Sequence, residues 1–224
     1  MGTLILTLRE KIILGLVAVI LAAGFVLRFV HLTLFEQFIR EDGLVEWLTV
    51  AGLLLAAVVC FSRFVKLLRY KKAWFLFVTL LLGLFLFFAA GEEISWGQRI
   101  FGLKTPEYFQ KHNAQQETNL HNLVVGGVKI NKLIFSILLV AILGVFLLVM
   151  PFLYQKNKAV KNFIDRSAVP VPRVYQVIAF LLVFGLASLI PHGKNAELLE
   201  CGAALLFFLV VCYPKNKAVF DSSR

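Results

Sequence analysis

The sequence has little cysteine and no cysteine motif. Its 224 residues include three cysteines, Cys60, Cys201 and Cys212. All three lie inside apolar runs, and no two are spaced as CxxC. The sequence therefore predicts neither a disulfide framework nor a structural zinc site.

Charged residues are also scarce. Asp, Glu, Lys and Arg make up 16% of the chain, whereas hydrophobic residues make up 60%. Soluble domains have an apolar share of about 45 to 50%, so this composition excludes a soluble domain and predicts an integral membrane protein. The formal net charge of +10 does not indicate a nucleic-acid partner, because basic residues beside apolar runs are expected to face lipid headgroups.

Six apolar runs are long enough to cross a bilayer as helices, which takes roughly 17 to 25 residues each. They cover residues 12–32, 44–64, 73–90, 133–153, 174–190 and 198–213. We therefore expect an all-α integral membrane protein with six transmembrane helices, forming a single polytopic domain over residues 1–224.

Basic residues predict the orientation of these helices. Most of the 23 Lys and Arg residues lie in the two termini and in the connections after the second and fourth runs. Because cytoplasmic loops retain positive charge, we expect cytoplasmic N- and C-termini in a bacterial inner (plasma) membrane. The long connection 91–132 then lies outside the cytoplasm. Thr105, Pro106 and Glu107 are typical of a helix start, so we expect a structured outer cap between helices 3 and 4.

Acidic residues and histidines are concentrated on this predicted outer side. Most of the 13 acids and all four histidines lie there: Glu36, Glu41, Asp42, Glu46, Glu92, Glu93, Glu107, Glu117, Glu197, Glu200, His31, His112, His121 and His192. Such side chains perform general acid–base and metal chemistry near neutral pH. The outer face is therefore the predicted functional face.

Two adjacent glutamates, Glu92 and Glu93, end the third apolar run. Carboxylates at a helix C-terminus oppose the helix dipole, so a positive group must offset them. If the helix continues, Glu92, Trp96 and Arg99 share one face. We then expect Arg99 to pair with Glu92, while Glu93 points elsewhere and serves as a reacting or ligating group.

A second polar segment, NAQQETNLHNL, covers residues 113–123. On a helix Glu117 and His121 would share a face at i, i+4, as a carboxylate orienting an imidazole or as two ligands of one metal. The neighbouring amides can bind a headgroup or an oxyanion without charge. We expect Asn119 and Asn122, together with Trp96, Gln98 and Arg99, to bind substrate.

Two family resemblances follow from these motifs. GEEISWGQRIFG (residues 91–102) followed by ETNLHNL (residues 117–123) resembles a signature of bacterial polytopic inner-membrane proteins, and that resemblance implies no particular activity. More loosely, the Glu pair followed by Arg is similar to the first motif of the CAAX-protease/Abi glutamic peptidases, which would imply catalytic Glu92 and Glu93. Here Arg99 lies two positions later than in that motif, and the Phe-x3-His motif that follows it in the family is absent.

Other membrane enzyme classes are excluded by what the chain lacks. It has no Ser-Gly-His stretch of a PAP2-type lipid phosphatase and no Gly-x-Ser-Gly of a rhomboid protease. Four histidines in the whole chain are too few for the histidine cluster of a membrane fatty-acid hydroxylase.

Two hypotheses of different classes remain. The first is a membrane enzyme that hydrolyses or transfers a group on a membrane lipid or lipid-linked substrate, with Glu93, Glu117 and His121 as catalytic residues. A divalent cation (Mn, Mg, Fe or Zn) could be held by those three residues, with Glu46 or Glu200 completing the shell. The second is a non-enzymatic lipid- or cation-binding membrane subunit or transporter. The middles of the runs are almost free of charge, which argues against a transport pathway.

Overall fold

The fold is built almost entirely from helices. The computed structural model describes residues 6–126, 128–129, 138–193 and 195–222. In chain order the helices are α1 (Leu8–Val30), α2 (Leu32–Phe38), α3 (Leu44–Leu67), α4 (Ala73–Glu93), α5 (Gln98–Phe101), α6 (Glu107–His112), α7 (Leu139–Gly144), α8 (Met150–Lys156), α9 (Lys158–Arg166), α10 (Val174–Ser188) and α11 (Ala196–Cys212).

Short elements complete the described chain. A π-helical turn, Val145–Val149, joins α7 to α8, and 3₁₀ turns occupy Ser95–Gly97 and Lys217–Phe220. Strands β1 (Val124–Val125) and β2 (Val128–Lys129) form a small antiparallel pair with Val124 opposite Lys129. The start of the fourth predicted run, residues 133–137, lies outside the described residues.

Three helices, α1, α3 and α4, are long and apolar enough to cross a membrane. A fourth span is obtained if Val140–Lys156 and Lys158–Arg166, which meet at a bend of 118°, are counted as one. Each of the six predicted runs coincides with a helix in its described part. However, α10 has 15 residues, which is shorter than the roughly 17 residues that a span needs. The chain is thus a membrane-embedded, multi-pass protein with three to four helices of spanning length.

Helix α11 is the centre of the packing, since α1, α3 and α10 all pack against it. Its residues Leu198, Leu206 and Leu209 are fully buried. Against α3 the approach is close: a Cβ added at Gly52 would lie 3.1 Å from the backbone carbonyl carbon of Ala204. Small residues at helix crossings are the usual means of close packing in membranes, where lipid tails are as apolar as Leu.

The pairing of α3 with α4 determines where the polar residues meet. These consecutive helices are joined by a short turn and pack side by side, so they run in opposite directions. The first turn of α3 therefore lies beside the last turn of α4. Gly43 is the N-cap of α3, and Glu46 lies in its first turn, at the same end of the bundle as Glu92 and Glu93.

Candidate functional site

The chain reverses sharply where α4 ends. Ser95, Trp96 and Gly97 have φ angles of 47°, 55° and 77°, in the left-handed region that costs roughly 1 to 2 kcal/mol for a residue other than glycine. The Trp96 indole folds back over Gly91, where an added Cβ would lie 2.8 Å from the ring. Its Nε1 donates to Glu92 Oε1 at 2.8 Å. The expected continuation of the helix from Glu92 to Arg99 is therefore wrong.

Arg99 lies beyond this reversal and joins three carboxylates, which together we call the Arg99 cluster: Asp42, Glu46 and Glu117. Its Nη2 is 2.6 Å from Glu46 Oε1, its Nη1 is 2.6 Å from Glu117 Oε1, and its Nε is 3.0 Å from Asp42 Oδ2. The Glu46 and Glu117 side chains are 6% and 12% exposed. The cluster thus ties the start of α3 to the 91–126 segment.

The protonation of Arg99 is secured by these neighbours. Desolvation by burial acts to lower its pKa, but the hydrogen bond and negative charge of Glu117, together with the charge of Glu46, raise the pKa above its ordinary value. The guanidinium is therefore a permanent cation that neutralises part of an otherwise acidic region.

Glu92 does not pair with Arg99, contrary to the expectation from spacing. Its Oε2 accepts hydrogen bonds from the backbone N–H groups of Leu120, at 2.6 Å, and His121, at 3.1 Å. The physical reason is the reversal at residues 95–97, which carries Arg99 away from the α4 face and brings residues 120–121 over its end. Glu92 is buried and holds residues 120–121 against the end of α4.

Residues 117–121 are not helical, so Glu117 and His121 do not share a face as expected. Glu117 faces Arg99 and also accepts a hydrogen bond from Ser95 Oγ at 2.5 Å. His121 faces Glu92 instead, with Nδ1 3.8 Å from Glu92 Oε2. The two residues belong to adjacent but different polar groups.

The amide residues expected to bind substrate form an internal network. Asn119 is 1% exposed; its Nδ2 donates to Ser95 Oγ, and its Oδ1 accepts from Asn113 Nδ2, both at 2.9 Å. Asn122 Nδ2 lies 2.5 Å from Gln115 Oε1 and 3.0 Å from His121 Nε2. These bonds shape the loop, so Asn119 in particular has no face open to a ligand.

Gln98 also has a structural role. Its Oε1 accepts from the backbone N–H of Thr118 at 2.6 Å, and its Nε2 donates to Thr105 Oγ1 at 2.5 Å. Thr105 in turn donates to the Gln116 carbonyl. The helix expected after Thr105 is present as α6, but Pro106 is its N-cap and Thr105 stands one residue outside.

Glu93 differs from the other carboxylates of this region. Among the described residues it makes no hydrogen bond, and it interacts electrostatically with His121, Glu46 and Glu92. Glu200, on α11, interacts with Glu93 and Glu197. Glu93 is therefore within electrostatic range of His121, of Glu46 and of Glu200 on α11.

The five residues expected to hold a metal do not form a metal centre. Within the described ranges, no three His, Cys, Asp or Glu side chains are placed to hold one ion. Glu46 and Glu117 direct carboxylate oxygens at Arg99, which occupies the position that a cation would take. The expected Mn, Mg, Fe or Zn site is therefore not supported by the donor geometry.

Asp42, Ser95 and Asn113 are among the residues of the polar network that were not predicted from the sequence as site residues. Asp42 resembles an ordinary acid before a helix, and Ser95 resembles an ordinary loop serine, so neither carries a sequence signal for its contacts. Asn113 is the first residue of the polar segment 113–123, and its Oδ1 accepts from the backbone N–H groups of Gln115 and Glu117. The density of amides in that segment was the available signal.

Comparison of the chain with protein-family models, with curated proteins and with solved structures gives no match. The two family resemblances of the sequence therefore stay predictions, and the functional argument rests on the geometry of the site.

Proposed function

We propose that the chain is a membrane-embedded enzyme, a hydrolase or transferase, that acts on a lipid or lipid-linked substrate with Glu93 and His121 as its reacting groups. The observation that carries this proposal is the difference between Glu93 and its neighbours. Glu46, Glu92 and Glu117 are engaged by Arg99 or by backbone N–H groups. Glu93 makes no hydrogen bond among the described residues and lies in the field of His121.

The chemistry assigned to this pair is general acid–base catalysis. Glu93 takes a proton from water, or from the hydroxyl of an acceptor, as that oxygen attacks the substrate. His121 in its protonated form gives a proton to the leaving oxygen. The reaction is a hydrolysis when water attacks and a group transfer when a hydroxyl attacks, and the proton balance is the same in both.

Arg99 and Glu117 have a positioning role in this proposal. Arg99 was expected to bind substrate and Glu117 to act as a catalytic residue or metal ligand; their ion pair and the Ser95 hydrogen bond to Glu117 support a positioning role instead. Glu92 accepts hydrogen bonds from the backbone N–H groups of residues 120–121 and so holds the backbone of His121 at the end of α4, where Glu93 also lies.

Exposed apolar side chains near Arg99 in the chain support a lipid substrate. Trp96, Ile100, Phe101 and Leu103 are all exposed, Phe101 by 72%, and they flank the reversal that leads to Arg99. Apolar residues exposed at the rim of a polar site are expected to lie in the acyl chain or headgroup region of a bilayer. A lipid entering from the side would meet them first.

The proposal includes the full topology inferred from the sequence. It places six spans in a bacterial inner membrane, both termini in the cytoplasm, and the site on the extracytoplasmic side. The segregation of basic residues supports this orientation.

Glutamine at Glu93 and alanine at His121 test the proposal. Glu93→Gln keeps the size of the side chain but removes the base, so it should abolish complementation of a strain lacking the gene and reproduce the altered lipid profile of that strain. General bases contribute about 10²- to 10⁴-fold in rate. Melting in detergent should be close to wild type, because Glu93 makes no hydrogen bond among the described residues.

Glu107→Gln is the matched control for the loss of one carboxylate. Glu107 is exposed and pairs only with Lys111 four residues later among the described residues, so this variant should complement fully. A fully active Glu93→Gln protein, or one that fails to fold, would reject Glu93 as the reacting group.

A second candidate function is a non-enzymatic cation- or lipid-binding subunit or transporter. The observation that favours it is the electrostatic interaction of Glu93 with Glu200, since two like charges in a helical bundle are stabilised by a shared proton or cation. In that case Glu200→Gln should abolish function as completely as Glu93→Gln, while His121→Ala should retain it.

A further inference from the structure

A large cavity lies at the end of the bundle opposite the candidate site. Its volume is about 1170 Å³, and it is lined by the α3–α4 turn, by α9 and by the segment after α11. The candidate site uses the first turn of α3 and the last turn of α4, whereas this cavity uses the other ends of the same two helices. The two regions are therefore separated by the length of the bundle.

The charge of this cavity is strongly positive. Five basic residues line it, Lys71, Lys72, Lys161, Arg166 and Lys215, against one acid, Asp165. We call it the basic cavity.

The single acid is already engaged. Asp165 pairs with Lys161 and accepts hydrogen bonds from Tyr154 Oη at 3.0 Å and Asn216 Nδ2 at 3.2 Å. It therefore neutralises only one of the five basic side chains.

Three of the cations have no ion pair within the described part of the chain: Lys72, Arg166 and Lys215. Desolvation by burial lowers the pKa of the Lys215 ammonium, as expected for a cation whose counter-charge is missing. Retention of positive charge in cytoplasmic loops explains the sign of these residues. It does not explain why they gather around one concave space.

Aromatic residues line the same cavity and suit a ligand with an apolar part. Trp74 Nε1 donates to Ser167 Oγ at 3.0 Å, which fixes the indole at the cavity wall. Tyr70 and Phe163 also line it and are exposed. Aromatic side chains of this kind lie at the headgroup level of membranes, with the ring toward the acyl chains.

We propose that the basic cavity binds a phosphate-bearing anion, and that its ligand is the headgroup of an anionic phospholipid. Lysine and arginine donate charge-assisted hydrogen bonds to phosphate oxygens, and the aromatic wall contacts the adjoining chains. This site is independent of the enzyme proposed above, because no residue of the Arg99 cluster, nor Glu93 or His121, lines it.

The test is a binding titration of the full chain in neutral detergent at about 0.15 M salt, where charges more than about 8 Å apart are largely screened. Phosphatidylglycerol, phosphatidylcholine and inorganic phosphate are added separately, and binding is followed by the melting temperature and by native mass spectrometry. Phosphatidylglycerol should stabilise the wild-type protein, and phosphatidylcholine should not. The double variant Lys72→Gln/Lys215→Gln should bind phosphatidylglycerol about thirty-fold more weakly.

The matched control removes two lysines outside the cavity. Lys66 and Lys156 are exposed and do not line it, so Lys66→Gln/Lys156→Gln should change the affinity by less than about threefold under this screening. Stabilisation by inorganic phosphate but not by phosphatidylglycerol would overturn the lipid assignment and leave a soluble phosphate compound as the ligand of the anion site. The proposal would be overturned if both double variants bound phosphatidylglycerol equally weakly. It would also be overturned if the wild type bound neither phosphatidylglycerol nor inorganic phosphate more tightly than phosphatidylcholine.

Discussion

Replacing Arg99 by glutamine should destabilise the protein more than any other single charge removal at the candidate site. The guanidinium contacts Asp42, Glu46 and Glu117 simultaneously. Glutamine is too short and has one amide group, so it cannot donate to all three. The Glu46 and Glu117 carboxylates would then be left largely buried without a cation.

The expected magnitude follows from the burial of these partners. Removing one member of a buried ion pair typically costs about 3 to 5 kcal/mol, because the remaining charge is uncompensated. Asp42 is 45% exposed and Arg99 itself 20% exposed, and water can replace part of the lost interaction there. We therefore expect the lower end, about 3 kcal/mol. For a chain of this size that corresponds to a melting temperature lower by roughly 6 to 12 °C.

Thermal unfolding in detergent measures this effect, with Lys104→Gln as the control. Lys104 is exposed in the same loop and makes no hydrogen bond or ion pair with another described residue, so its loss should cost less than about 0.5 kcal/mol. The melting temperature of Arg99→Lys should lie between those of Arg99→Gln and the wild type, because an ammonium keeps the charge but not the fork geometry. Adding Glu117→Gln to Arg99→Gln should cost less than the sum of the two single variants, because one uncompensated carboxylate is then removed.

Two outcomes would refute this reasoning. If Arg99→Gln and Lys104→Gln melt at the same temperature, the three ion pairs contribute no net stability. If the double variant with Glu117→Gln is strictly additive, then Arg99 and Glu117 are not energetically coupled in the folded protein.

Further predictions concern the helix terminus, the packing and the topology. Glu92→Gln should lower the free energy of unfolding in detergent by about 1 to 3 kcal/mol, because a carboxamide has one accepting oxygen where the carboxylate has two. An unchanged free energy of unfolding would contradict this. Gly52→Val should destabilise by about 1 to 3 kcal/mol through overpacking, whereas Gly15→Val, where no atom lies within 4 Å of an added Cβ, should not; equal melting of the two would contradict the close α3–α11 contact. In a cysteine-free background, a cysteine at Lys104 should react with a membrane-impermeant maleimide in intact cells and one at Lys158 should not, and labelling of Lys158 alone would reverse the proposed topology.

Local patterns in the sequence predicted the helices because helix formation in an apolar run depends on nearby residues. The runs that begin near Ile12, Leu44 and Ala73 each coincide with a helix of spanning length, since such a run must satisfy its backbone internally in lipid. The helix after Thr105 was also predicted, within one residue of its observed start at Glu107. The length of α10 was not predicted, because the hydropathy of the apolar run 174–190 does not show where its helix ends.

Contacts between segments were predicted poorly where they depended on a helix continuing. The pairing of Glu92 with Arg99 assumed regular geometry through residues 95–97, and the left-handed backbone of Ser95 and Trp96 invalidates it. The pairing of Glu117 with His121 assumed a helix that residues 117–121 do not form. A serine and a tryptophan with positive φ have no reliable sequence signal, because such conformations persist only when surrounding contacts enforce them.

The sequence by itself determined that this chain is a helical membrane protein and that its carboxylates, histidines and amides gather in a few segments. Both properties follow from composition and local periodicity, which need no knowledge of distant contacts. Only the tertiary structure decided which charges meet. The reversal after α4 directs Arg99 toward Asp42, Glu46 and Glu117. Glu92 instead accepts hydrogen bonds from the backbone N–H groups of residues 120–121. Each buried charge takes the partner that the folded backbone brings within hydrogen-bonding distance, whereas Glu93, which has no such partner among the described residues, stays within electrostatic range of His121.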